Sequence, residues 1–294
     1  MYYQMYFEQD NANVEKVEIG YKILMSLSYK IFGNHFYLFF ALCSALTIIP
    51  IYCFIKKKSK YPCESLFYFV TLGFYVMTFN MVRQAIAIAL ALWALKFLFD
   101  RKCLKYIATI IIASLFHMTA LIMIPIYWIA RIKFSTKKLI ILMIILAFAG
   151  TLFNPIFNYI TSIIPQYNMY SNYSGTDVGI GTYIINIIYL VLIFLVILNN
   201  KRICEAEKDY NIIVNIVTFS TFFIIASLRG ALFARLIYYW FIPIVMILPE
   251  LIRSIKKTER NSLQTLVILA FSAFYIMHIY SFNGVFPYTS IFSW

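Results

Sequence analysis

FYLFFALCSALTIIPIYCFI, Phe36–Ile55, is twenty residues without a charge, and KKKSK follows it directly at Lys56–Lys60. An α-helix of that length rises about 30 Å, the thickness of a bilayer's hydrocarbon core. Lysines placed at once after such a helix mark its cytoplasmic end. The same text recurs along the chain, which is 63% hydrophobic and only 13% charged, far more apolar than a soluble core absorbs. Inside lipid the backbone polar groups must be satisfied within helices.

Further spans are expected over Glu64–Asn80, Met81–Phe99, Leu139–Tyr159, Tyr183–Leu198, Tyr210–Leu228, Leu236–Leu251 and Leu263–Tyr280. Between them lie basic clusters at Lys56–Lys60, Arg101–Lys105, Arg131–Lys138, Lys201–Lys208 and Arg253–Arg260, which hold 18 of the 25 Lys and Arg. The positive-inside rule puts all five in the cytoplasm, so the net charge of +13 reads as topology and not as nucleic-acid binding.

Parity tests this arrangement. Two spans separate successive clusters except across Tyr106–Ala130, 25 residues between two basic groups. One helix of that length would reach about 37 Å and put every later cluster outside. Two half-length helices with a turn at Phe116-His117-Met118 keep the charge rule intact. The fold expected is therefore all-α: a polytopic integral membrane protein with eight full transmembrane helices plus a re-entrant helical hairpin near His117. It forms one membrane domain over residues 1–294. Residues 1–35 make an outer segment with an amphipathic helix over Tyr21–Phe32, and residues 162–182 an outer loop. Gly175, Gly179 and Gly181 suit that loop to act as a lid. The C-terminus lies outside.

Arg83, Arg229 and Arg235 escape the cytoplasmic clusters and fall at the outer ends of spans. A charge near the hydrocarbon is costly and marks a substrate site by default. The competing account is an interfacial arginine reaching for lipid headgroups. Arg83 sits in an Asn80-x-x-Arg83-Gln84 turn, and Tyr238 and Tyr239 follow Arg235 at helical spacing. A guanidinium fork suits phosphate oxygens. His117 is a lone imidazole in apolar text, either a functional group or a buried histidine bonded to a neighbour such as Thr119. Glu18 precedes the amphipathic stretch, as a site carboxylate or a helix N-terminal acid.

These groups suit an anionic lipid-linked substrate. A diphosphate can be gripped by arginines without a metal, and no Asp-x-Asp pair or Cys/His metal spacing is present. No cofactor is expected. An outer-face enzyme would use a polyprenyl-diphosphate donor, with the arginines taking up charge on the departing diphosphate. Arg83 and Arg235 are the expected diphosphate ligands, helped by Arg229, Gln84, Asn80 and Tyr239. His117 would contact phosphate or orient the acceptor, and Glu18 would deprotonate it. Two rivals are a membrane O-acyltransferase using His117 as base and a glycan-lipid flippase.

At these residues the chain resembles the EpsG family of Wzy-like exopolysaccharide polymerases. FNMVRQAIAIALALWAL (Phe79–Leu95), SLFHMTALIMIPIYW (Ser114–Trp128) and ARLIYYWFIPIVMILPE (Ala234–Glu250) look like its signature blocks, in their expected order. VEIGY (Val17–Tyr21) and VFPYTSIF (Val285–Phe292) fit as well. The resemblance implies assembly of surface polysaccharide outside the bacterial cytoplasmic membrane from repeats on undecaprenyl diphosphate. A flippase and a chain-length regulator are the implied partners. Its motif positions fall on Glu18, Gly20, Tyr21, Asn80, Arg83, Gln84, His117, Arg235 and Tyr239. Relatives usually open with a further span and a Gly-Thr-Asp motif, so a short N-terminus is expected here.

Overall fold

The computed structural model describes residues 17–163, 179–207, 209–228, 230–253 and 257–281. Most of the expected outer loop, Asp177 and the VFPYTSIF tail lie outside the described residues. Every described element is an α-helix or a 3-10 helix. Five are long and apolar enough to cross a membrane: Phe36–Lys58, Val82–Phe99, Thr136–Phe157, Ile180–Leu198 and Tyr210–Ser227.

The other three expected spans take a different form. The run over Glu64–Asn80 is two helices, Pro62–Thr71 and Phe74–Asn80, parted at Gly73 with φ +82°. Only glycine enters that conformation without strain, and it ends the helical bonding. The run over Leu236–Leu251 is Ala231–Phe241, a 3-10 turn Ile242–Met246 and Leu248–Arg253. Pro243 and Pro249, each lacking an N–H, lie in the second and third pieces. The last helix, Lys257–Ser281, is continuous, but its apolar part, Gln264–Met277, falls short of a crossing.

The chain packs as two compact units. The first draws on Met1–Lys58 and Met77–Tyr127. At its centre is Val82–Phe99, where Ala85, Ala87, Ala89, Ala91 and Ala94 are all buried. Such small side chains let neighbouring helices approach closely. Phe36–Lys58 and Cys103–Ser114 pack on this helix. Ile19–Phe32 turns Tyr21, Met25 and Ser28 inward and leaves Ile19, Ile23, Leu27 and Ile31 exposed. An apolar outer stripe on a helix carrying Lys22 and Lys30 is what an interfacial helix needs.

The segment after Arg101 breaks where the sequence predicts. Cys103–Ser114 stops, Leu115 and Phe116 turn, and Met118–Met123 continues as a 3-10 helix. Twelve residues of α-helix span only about 18 Å, too little for a crossing. The chain then folds back on itself: the Tyr106 hydroxyl donates to the Met123 carbonyl at 2.6 Å, and the rings of Tyr106 and Tyr127 lie 5.5 Å apart.

The second unit draws on Ser59–Val76 and Trp128–Trp294. Tyr210–Ser227 is its buried centre, packed by Thr136–Ile163, Ile180–Leu198 and Ala231–Phe241. Asn215 donates to the carbonyls of Ala130 and Ile132 at 2.8 and 2.7 Å. Asn186 donates to Ile224 O and Ser227 Oγ. Lys60 pairs with Glu250 at 3.2 Å, and Arg253 pairs with Glu64 while its guanidinium lies 3.8 Å over the Tyr61 ring. In the sequence Lys60 and Arg253 read as topology signals alone; folded, they also form ion pairs.

Candidate functional site

Three chain segments of the first unit meet at one carboxylate. Glu18 is the N-cap residue of Ile19–Phe32, with extended backbone angles. Its side chain does not cap that helix. Instead one oxygen, Oε2, accepts from Nη1 of Arg83, and the other, Oε1, lies 2.7 Å from Nδ1 of His117. Arg83 is the second residue of Val82–Phe99, and His117 is the N-cap of the 3-10 helix Met118–Met123. The partners stand 65 and 99 residues away in sequence.

A core holds this arrangement from beneath. Val17, Tyr21, Met25, Phe39, Cys43 and Ile86 form one buried cluster, with Val82 and Phe116 packed against it. Residues adjacent to Glu18, Arg83 and His117 are thus anchored in the same apolar body. The three side chains of Glu18, Arg83 and His117 are 16%, 26% and 25% exposed, respectively, so each is partly shielded from water.

Burial alone would push the Glu18 carboxyl up. The hydrogen bond from His117, a backbone N–H and the charge of Arg83 outweigh it and hold the group below the usual carboxylate range. Glu18 is therefore ionised at neutral pH and accepts only, so His117 Nδ1 carries the proton between them. In the neutral ring that leaves the lone pair on Nε2, which has no hydrogen-bond partner among the described residues. Glu18, doubly paired, is a weak proton acceptor in this state.

Gln84 is buried one position after Arg83, and Asn80 is exposed at the end of Phe74–Asn80. Arg235 belongs to the second unit and is exposed on Ala231–Phe241, while Tyr239, four residues on, is buried. Arg229 lies outside the described residues, as does the side chain of His278. The sequence marks Glu18, Arg83 and His117 singly, by the cost of charge or imidazole in apolar text. All three were expected at one substrate site, but not that Glu18 would bond Arg83 and His117 directly, nor the close contact of Gly20 with Leu115, whose amide and carbonyl are 2.8 Å apart.

The chain belongs to the EpsG family, whose model matches residues 1–290. No curated protein and no solved structure is a match for it.

Proposed function

We propose that this member of the EpsG family is a membrane polysaccharide polymerase. It would join polyprenyl-diphosphate-linked repeat units by glycosyl transfer at the outer face of the bacterial cytoplasmic membrane. One observation carries this reading: a single carboxylate, Glu18, is shared between the guanidinium of Arg83 and the imidazole of His117. The result is a proton acceptor beside a phosphate ligand, the two groups that glycosyl transfer from a diphosphate needs.

In the proposed reaction His117 Nε2 takes the proton of an acceptor sugar hydroxyl. The hydroxyl oxygen forms a bond to the donor's anomeric carbon as the bond from that carbon to the diphosphate oxygen breaks. The diphosphate leaves on its polyprenyl carrier, and its growing charge is met by Arg83 with Asn80 and Gln84 nearby. Glu18 holds the imidazole and balances the positive charge that it gains. The second unit's Arg235, Arg229 and Tyr239 are proposed as further phosphate contacts of the lipid-linked substrate, each testable by its own substitution. A His117 turn folded back between two short helices suits the proposed re-entrant hairpin. Non-spanning backbone at membrane depth is tolerated where protein or a water-filled cavity surrounds it.

The same imidazole–carboxylate pair would serve an O-acyltransferase acting on a sugar hydroxyl, and one experiment separates the two. Purified protein is reconstituted into vesicles with lipid-linked repeats extracted from a strain deleted for its gene. Products longer than one repeat are the expected result. No lengthening, with acyl transfer to the same repeats once an acyl-coenzyme A is supplied as donor, would replace the polymerase by the transferase.

A further inference from the structure

We infer that Gly20 is a positioning residue that sets the distance between Glu18 and His117; the inference rests on the proposed role of that pair. The first amides of a helix lack intrahelical partners, as do the last carbonyls. Glu18, at the N-cap, has its carboxylate turned to Arg83 and His117 and caps nothing. The Gly20 amide finds its partner elsewhere: it donates at 2.8 Å to the carbonyl of Leu115. Leu115 is the C-cap of Cys103–Ser114, where carbonyls are left over. Two helices therefore cap one another through a single backbone bond.

That bond lies at a fixed remove from the site on both strands of chain. Glu18 is two residues before Gly20, and His117 is two residues after Leu115. The approach is possible only without a side chain. A Cβ at position 20 would fall 2.7 Å from the Leu115 oxygen, 2.9 Å from its carbonyl carbon and 3.0 Å from its Cβ. The two nearest atoms are backbone and cannot rotate away. Ordinary contact begins at 3.4 Å, so alanine would part the two segments by a large fraction of an ångström. A displacement on the order of 1 Å in a reacting constellation costs roughly 100-fold in rate.

The test is a double-mutant cycle on the intact chain, assayed with lipid-linked repeats extracted from the deletion strain. Gly20→Ala is expected to lower kcat by about 10- to 100-fold with KM changed less than about twofold, because the fault lies in the reacting geometry. In a Glu18→Ala background, where the pair is already gone, the same substitution is expected to add less than about a twofold loss. Multiplicative losses would overturn the inference and leave the role of the pair intact. Full turnover by Glu18→Ala alone would instead sink the functional reading. Should Gly20→Ala fail to fold, hydrogen exchange of the Gly20 amide in wild type and in Glu18→Ala decides. Equal protection means that the backbone contact stands independently and positions the carboxylate. Protection lost in Glu18→Ala means that the carboxylate positions the contact, which reverses the inference.

Discussion

Oε1 of Glu18 lies 2.7 Å from Nδ1 of His117, across 99 residues of sequence. The contact makes the imidazole a one-sided group, its Nδ1–H committed and its Nε2 presented. His117→Ala is therefore expected to lower polymerisation by about 100- to 10,000-fold, the range of a lost general base. His117→Gln should be as poor, since an amide keeps a hydrogen bond but takes no proton. Chain-length ladders from reconstituted vesicles check this, and near-normal ladders from either variant would remove His117 from the chemistry.

Arg83→Lys separates charge from shape. Lysine keeps the charge but loses the planar fork that meets a carboxylate and a phosphate at once. A fall on the order of 10- to 100-fold in kcat/KM is expected, in line with loss of one donor to a developing anion. Retained full activity would argue that position 83 supplies charge alone.

Acid should weaken the site from the Glu18 side. Its carboxyl is held below the ordinary range in the folded chain, so the stability it contributes is complete above that range. The contribution is lost progressively as pH falls through the ordinary range toward the lowered value. The gap in melting temperature between wild type and Glu18→Gln in detergent should thus be largest near neutrality and close in acid. A gap that widens on acidification would contradict the pairing.

Asn215 tests the second unit alone. Its amide serves two carbonyls, Ala130 and Ile132, from a side chain almost wholly buried. Asn215→Leu would leave both carbonyls without that donor, at a cost of about 2–4 kcal/mol. Thermal unfolding in detergent measures it. A loss below about 1 kcal/mol would mean that water or another donor takes over.

Tyr106→Phe removes the hydroxyl that ties Met123 to the helix Cys103–Ser114. The expected destabilisation is about 1 kcal/mol. The more telling sign is faster amide exchange over Met118–Met123 with the rest of the first unit unchanged.

Much of this was written plainly in the sequence, and some was not. The apolar runs before Lys56, after Arg83 and after Tyr210 give continuous helices, the first of them even through Pro50. The run over Glu64–Asn80 is equally apolar yet broken, since hydropathy counts side chains and the break is a backbone event at Gly73. Arg83, His117 and Glu18 stood out by their cost in apolar text. Their meeting depends on packing between distant helices, which no local spacing encodes. Lys60 and Arg253 were legible as topology charges, but Arg253's acidic partner, Glu64, is 189 residues away. Glycine 20 was visible as a letter, and only the neighbouring carbonyl of Leu115 explains why it has no side chain.

The long sequence separations within the site impose a timetable on biosynthesis. Arg83 emerges from the ribosome 65 residues after Glu18, and His117 emerges 99 residues after it. At roughly 5–20 residues per second, the carboxylate waits about 3–13 s for its guanidinium and about 5–20 s for its imidazole. The salt bridge can therefore form during translation, before the histidine arrives. Arg83 would then keep Glu18 paired through the further stretch of synthesis that separates it from His117.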